Sequence, residues 1–154
     1  MRSKTYKGSR RIVIFMEKIG EFRYHKIIRT CQKKYKNYKS YKKNLKKDFE
    51  SKCAYCNLSD EQITTPFEVD HFVPSKICEE CNRCDLITDY SNLIYSCKKC
   101  NLAKSDLYNG SRIPEELSND RFYNPVDVDY NNIFYRNIIG GIDSQDIKGR
   151  NMIV

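Results

Sequence analysis

The sequence lacks any apolar run long enough to span a bilayer, and its N-terminus lacks the apolar stretch of a secretory leader. The one short apolar segment there, RIVIF at 11–15, sits among charges. A membrane partner is therefore not expected, and the chain reads as cytoplasmic. No internal repeat is present, so a repeat array is not expected. Histidine is scarce, with only His25 and His71. Hydrophobic residues are also modest at 40% against 31% charged, so part of the chain is expected to form an exposed arm or to wait for a partner. What remains fits one domain with at most an added arm.

Two features stand out from that background. The first is charge. Residues 1–52 carry a net +14 and residues 53–154 a net −6, which together give the formal +8. A basic N-terminal arm thus precedes a mildly acidic body. Such an arm is either a phosphate-binding surface or a solvated Lys-rich helix. Tyr24, Tyr35, Tyr38 and Tyr41 interleave with the lysines and could stack on bases or pack within a helix. The second feature is cysteine, with eight in 154 residues. In a reducing compartment, paired CxxC units favour metal binding over disulfides.

Along the chain, residues 1–10 read as a basic disordered start and 11–16 as a short strand or first helical turn. A helical pattern is expected from about Glu21 to Ser51, with Tyr41, Leu45 and Phe49 on one apolar stripe. Residues 57–66 read as a polar loop. Phe67-Glu68-Val69 alternates like a strand running into Asp70-His71. Residues 74–91 read as loop, 92–96 as the second strand and 97–106 as a helix. After a linker, segments 133–139 and 152–154 are strand-like around Gly140-Gly141, which predicts a hairpin. The chain stops on an apolar, strand-like segment, so either the last strand pairs inward or the sequence is truncated. The expected divisions are a mostly helical arm at 1–52, a core at 53–106 and an extension at 107–154.

Cys53-x2-Cys56 and Cys97-x2-Cys100 predict a closed four-thiolate Zn²⁺ site of the structural kind, with reduced core thiols as the alternative. The 40 residues between the pairs must then form a folded insert. Cys78, Cys81 and Cys84 lie inside that insert. They offer three ligands of a second zinc site, completed by Cys31, Asp85 or water, or they are thiols of a reduced loop. Cys31 reads as a helix packing residue and His25 as a solvated one.

Between the pairs stands FEVDHFVP (67–74), and directly after them Asn101-Leu-Ala-Lys104-Ser105-Asp106. This order resembles the HNH (ββα-metal) endonuclease family. The resemblance covers residues 53–106 and implies an α+β fold, a ββα-metal core of two antiparallel strands and a helix around one divalent ion. By position, Asp70 and Asn101 resemble the metal ligands and His71 the general base. Asn92 resembles the residue that steadies the loop bearing the histidine, and Lys104 a basic position that could contact phosphate. Asn101 stands where the family often has histidine. The chemistry is consistent with this: an imidazole of pKa ~6.5 takes a proton from water near neutrality. Hard oxygen donors suit Mg²⁺ or Mn²⁺. Because adjacent strand residues face opposite ways, the chain is expected to bend between Asp70 and His71.

The flanks KCAYC, VDHFVPSK and YSNLIYSCKKCNLAKSD, with Asn124-Pro125, resemble small nucleases encoded beside an ATPase in anti-phage defence operons. That resemblance implies a DNA-directed hydrolase gated by an ATPase partner. RNA as the substrate and a non-catalytic zinc module that binds nucleic acid or protein are the alternatives.

Overall fold

The computed structural model describes residues 19–153. The segments at 1–10 and 11–16 therefore lie outside the described residues. The first strand, β1 (Gly20–Glu21), is followed by an extended run to Asn37. The Asn37 side chain then caps a 3-10 turn at Tyr38–Tyr41, accepting from the Lys39 amide at 3.0 Å. Helix α1 (Lys42–Asp48) follows directly. It stops where Glu50 and Ser51 take positive φ of 50° and 59°. Tyr41, Leu45 and Phe49 form the expected stripe and are all buried. Each fully buried side chain of this kind contributes roughly 1.5–3 kcal/mol.

The helical arm expected over 21–51 is therefore a correction: helix is confined to its last third. Tertiary contacts override the local pattern in residues 22–30. The Arg23 amide bonds to the Asn131 side chain at 3.0 Å, and the Arg23 guanidinium donates to the Ala54 carbonyl. Arg29 donates to the Tyr90 and Ser91 carbonyls. The Thr30 amide and hydroxyl both donate to the buried Asp48 carboxylate, at 2.7 and 2.6 Å. A helix there would break every one of these bonds.

Strand β2 (Glu68–His71) pairs antiparallel with β3 (Leu93–Ser96), with Asp70 opposite Ile94 and His71 opposite Leu93. Between them lies α2 (Ser75–Glu80) and a 3-10 turn at Cys84–Ile87, where a loop was expected. Ile77, Cys78 and Cys81 are buried together at helical spacing, so these cysteines pack as small apolar residues. Helix α3 (Lys98–Lys104) then covers β2. Its N-cap is Cys97, whose Sγ accepts from the Cys100 amide, and Asn101 sits at its fourth residue.

A second, smaller core of Phe22, Tyr130 and Phe134 joins the two flanks. There β4 (Tyr135–Arg136) lies between β1 and β5 (Ile142–Asp143), all antiparallel. The hairpin expected between 133–139 and 152–154 is a correction: the chain turns at Gly140, at φ 79°, and pairs β4 with β5 over two residues each, the Asn137 side chain folding it back by accepting from the Ile139 and Gly141 amides. The strand expected at 152–154 is a further correction: α4 (Ile147–Met152) ends the described chain, capped by the Asp146 carboxylate on the Gly149 amide.

Candidate metal centre and active-site cleft

Cys53, Cys56, Cys97 and Cys100 bring their four Sγ atoms within 4.8 Å of one another. The first pair follows the turn after α1, and the second brackets the start of α3. Cys56 and Cys97 lie 3.8 Å apart. A tetrahedron with a metal–sulfur distance of 2.3 Å has sulfurs about 3.8 Å apart, so the residues fit zinc. Mutual hydrogen bonding, first from Cys100 and then from Cys56, pulls the Cys53 thiol down to about 7. Cys97 is pulled down as well, first by Cys100, whereas Cys100 is pushed up, first by Cys53, and Cys56 is also raised, so without a cation the four sulfurs share their protons unequally and two of them lean toward the thiolate a cation requires. Among the described residues no other such cluster exists. Cys78, Cys81 and Cys84 are not brought together as ligands. Cys78 is buried with Sγ on the Val73 carbonyl, burial pushes its thiol up to about 11, and Cys84 is exposed.

The ββα layer places the remaining residues around a cleft of about 320 Å³ bordered by Asp70, His71 and Asn101. The expected bend between Asp70 and His71 does not occur, since both keep regular register with β3. The chain turns only after His71. Asp70 faces α3 and His71 faces the insert, yet both border the cleft.

Asp70 is 5% exposed, and both its oxygens are engaged. Oδ2 accepts from the Tyr55 hydroxyl at 2.7 Å and Oδ1 from Lys104 Nζ at 3.1 Å. Burial pushes its carboxyl up from the ordinary value, and the Lys104 ammonium opposes that rise. Lys104, expected to face a phosphate, is instead 4% exposed and also donates to the His71 carbonyl at 2.7 Å. Its position one turn after Asn101 on α3 points it inward onto β2.

His71 Nε2 lies 2.9 Å from the Ile87 carbonyl, and its ring meets the Tyr38 ring edge-on at 4.6 Å. Burial lowers the imidazole pKa below its usual 6.5. Asn92 is buried behind the strand exit. Its Oδ1 accepts from the Val73 amide at 2.9 Å, and its Nδ2 donates to the Val73 and Leu86 carbonyls. Asn101 Nδ2 donates to Glu68 at 2.6 Å. Cys31 sits on the extended run rather than on a helix, and His25 borders a separate cleft beside Arg23.

Sequence reasoning missed Tyr55, Glu68 and Ile87, and read Tyr38 only as one of the tyrosines interleaved with the lysines. Glu68 carried a signal, because strand period places it on the face of Asp70. Tyr55 lies inside the first CxxC, where attention fell on the sulfurs. Ile87 acts through its main chain and left no signature.

A family model for HNH endonucleases matches residues 53–107. Septu protein PtuB of Bacillus thuringiensis is 27% identical over 104 residues, covering 67% of this chain. The chain spans about a third of the length of that curated relative, 35% of it being covered. No solved structure matches the chain.

Proposed function

We propose, from the match of residues 53–107 to the HNH endonuclease family model, that the chain is a metal-dependent endonuclease that hydrolyses phosphodiester bonds in DNA, with His71 as its general base. The observation that carries this reading is the contact between His71 Nε2 and the Ile87 carbonyl. A carbonyl only accepts, so Nε2 holds the proton, and in a neutral imidazole Nδ1 is then the basic nitrogen. Burial favours that neutral form. The Tyr38 ring limits rotation of the imidazole, and Asn92 fixes both Val73 and the turn that supplies Ile87. His71 thus holds its tautomer before substrate arrives, ready to take a proton from the attacking water at Nδ1.

The donor set also fits a hard divalent cation. Asp70 accepts one hydrogen bond at each oxygen, and a carboxylate retains further lone-pair directions. Asn101 commits its amide nitrogen to Glu68, which leaves Oδ1 as the group's acceptor. Asp70 and Asn101 would hold Mg²⁺ or Mn²⁺. Such an ion, when bound, supplies Lewis-acid stabilisation of the phosphate and the leaving oxygen. The Lys104 ammonium favours the charged form of Asp70, opposing the rise that burial imposes. The four cysteines would hold structural Zn²⁺, which would fasten the first knuckle to α3.

The likeness to the Septu protein, together with the flanking motifs, supports a role in bacterial anti-phage defence beside an ATPase partner that gates cleavage. The test is plasmid conversion with Mg²⁺ or Mn²⁺, comparing the chain with His71→Ala, alone and with the candidate ATPase. A drop of about 10²–10⁴-fold is expected for the variant. Equal cleavage by both proteins overturns His71 as the base. Absence of cleavage under every metal and with the partner present favours the non-catalytic zinc module. Cleavage of total RNA with intact plasmid moves the substrate to RNA.

A further inference from the structure

A groove continues past His71 toward α1. The cleft at His71 meets a second one of about 400 Å³ at Tyr38, Val69 and Asn101, which border both. The limb away from the imidazole is walled by Lys39 and Lys42, both exposed. Neither makes an ion pair among the described residues. Lys39 Nζ lies 5.9 Å from the centre of the Tyr38 ring, a contact that leaves its charge available. The acidic group on this limb, Glu68, is committed to Asn101 at 2.6 Å. Asp60, whose carboxyl feels Lys42, is paired with Lys46 at 2.9 Å and with the Tyr95 hydroxyl. On the opposite limb stands exposed Lys76.

Cations thus flank the imidazole on both sides of one open groove. A small anion would need a single enclosed site. Positive charge spaced along a track matches a polyanionic backbone.

We propose that the limb bounded by Tyr38, Lys39 and Lys42 is a phosphate-binding subsite for the nucleic-acid strand flanking the cut. This rests on the nuclease reading and extends it to residues outside the matched motif. Lys39 and Lys42 neutralise backbone phosphates adjacent to the scissile one. Tyr38 separates that subsite from the base, its ring inclined 62° to the imidazole. The 3-10 turn and α1 therefore set how far the bound strand lies from His71.

The experiment measures binding of a labelled DNA oligonucleotide, single-stranded and duplex, to the full chain carrying His71→Ala, across a salt series. Lys39→Ala/Lys42→Ala is compared with Lys33→Ala/Lys34→Ala, a pair of exposed lysines outside the groove. Losing two phosphate contacts lowers the salt slope by about 1.4 on single strands and about 1.8 on duplex. Between about 50 and 200 mM salt the groove variant then loses roughly seven- to twelve-fold less affinity than its parent. Lys39→Glu/Lys42→Glu is expected to weaken binding further, and matched melting curves verify the fold. An unchanged slope, or an equal change in the control pair, overturns the subsite. If the unaltered chain still cuts plasmid in that case, the nuclease reading stands. If the unaltered chain neither binds nor cuts DNA, both are overturned.

Discussion

Replacing Lys104 by Met removes an ammonium from the interior while keeping most of its stem. In the native chain that ammonium lies 3.1 Å from Asp70 Oδ1, and the two side chains are 3% and 5% exposed. The variant leaves a buried carboxylate supported by the Tyr55 hydroxyl alone, and the His71 carbonyl loses its donor. Breaking a buried pair in this way costs about 3–5 kcal/mol, because the surviving charge is uncompensated. For a domain of this size that corresponds to a melting point lower by roughly 6–20 °C. Two further signatures follow. Burial already raises the Asp70 pKa, and Lys104 is the main group opposing that rise, so the variant's carboxyl is raised further. A raised acid contributes stability at low pH that is lost as pH climbs through its folded value, so the variant's deficit should shrink on acidification. If Asp70 also ligates a divalent ion, Mg²⁺ or Mn²⁺ should restore part of the loss at neutral pH. Thermal unfolding of the native chain, Lys104→Met and Asp70→Asn/Lys104→Met reads all of this. The double variant should recover much of the deficit, since no unpaired charge remains. A single variant that melts with the native chain at neutral pH, or a double variant no better than the single, would refute the reasoning.

Metal analysis of the purified chain should give one zinc per chain, and chelation should abolish the native far-UV signal. Structural zinc in small domains is worth about 10–16 kcal/mol, and Cys97→Ser should behave as chelated protein does. A fold that survives verified zinc removal would count against the site. Because burial lowers the His71 pKa, cleavage should rise with pH with its midpoint below the usual imidazole value of 6.5. A midpoint above that value would exclude this histidine as the base.

The legible parts of the fold were those written in periodicity and spacing. The Tyr41, Leu45, Phe49 stripe, the β2–β3 pair and the four-cysteine cluster all follow from residue types at fixed intervals. The extended run at 22–37 was not legible, because its conformation depends on partners far away in sequence, such as Asp48 and Asn131. Helix α2 was hidden because Cys78 and Cys81 read as ligands when they act as core residues. At the site, Asp70, His71 and Asn101 were placed on one cleft by motif order, but the inward turn of Lys104 depends on the packing of α3 over β2. The Ile87 carbonyl could not be read from any side chain, since every residue has one.

The extended run that crosses from Phe22 to Thr30 has a consequence for where this molecule can be divided. Phe22 completes the small aromatic core with Tyr130 and Phe134, while Arg23 grips the first CxxC turn at Ala54 and Thr30 grips α1. The matched segment at 53–107 is consequently not a portable cassette. Excised alone it would lose Tyr41, Leu45 and Phe49 from beneath its own hairpin. A graft intended to keep its architecture would have to carry the preceding stretch from about Phe22 onward, together with the aromatic residues that Phe22 meets near the other end.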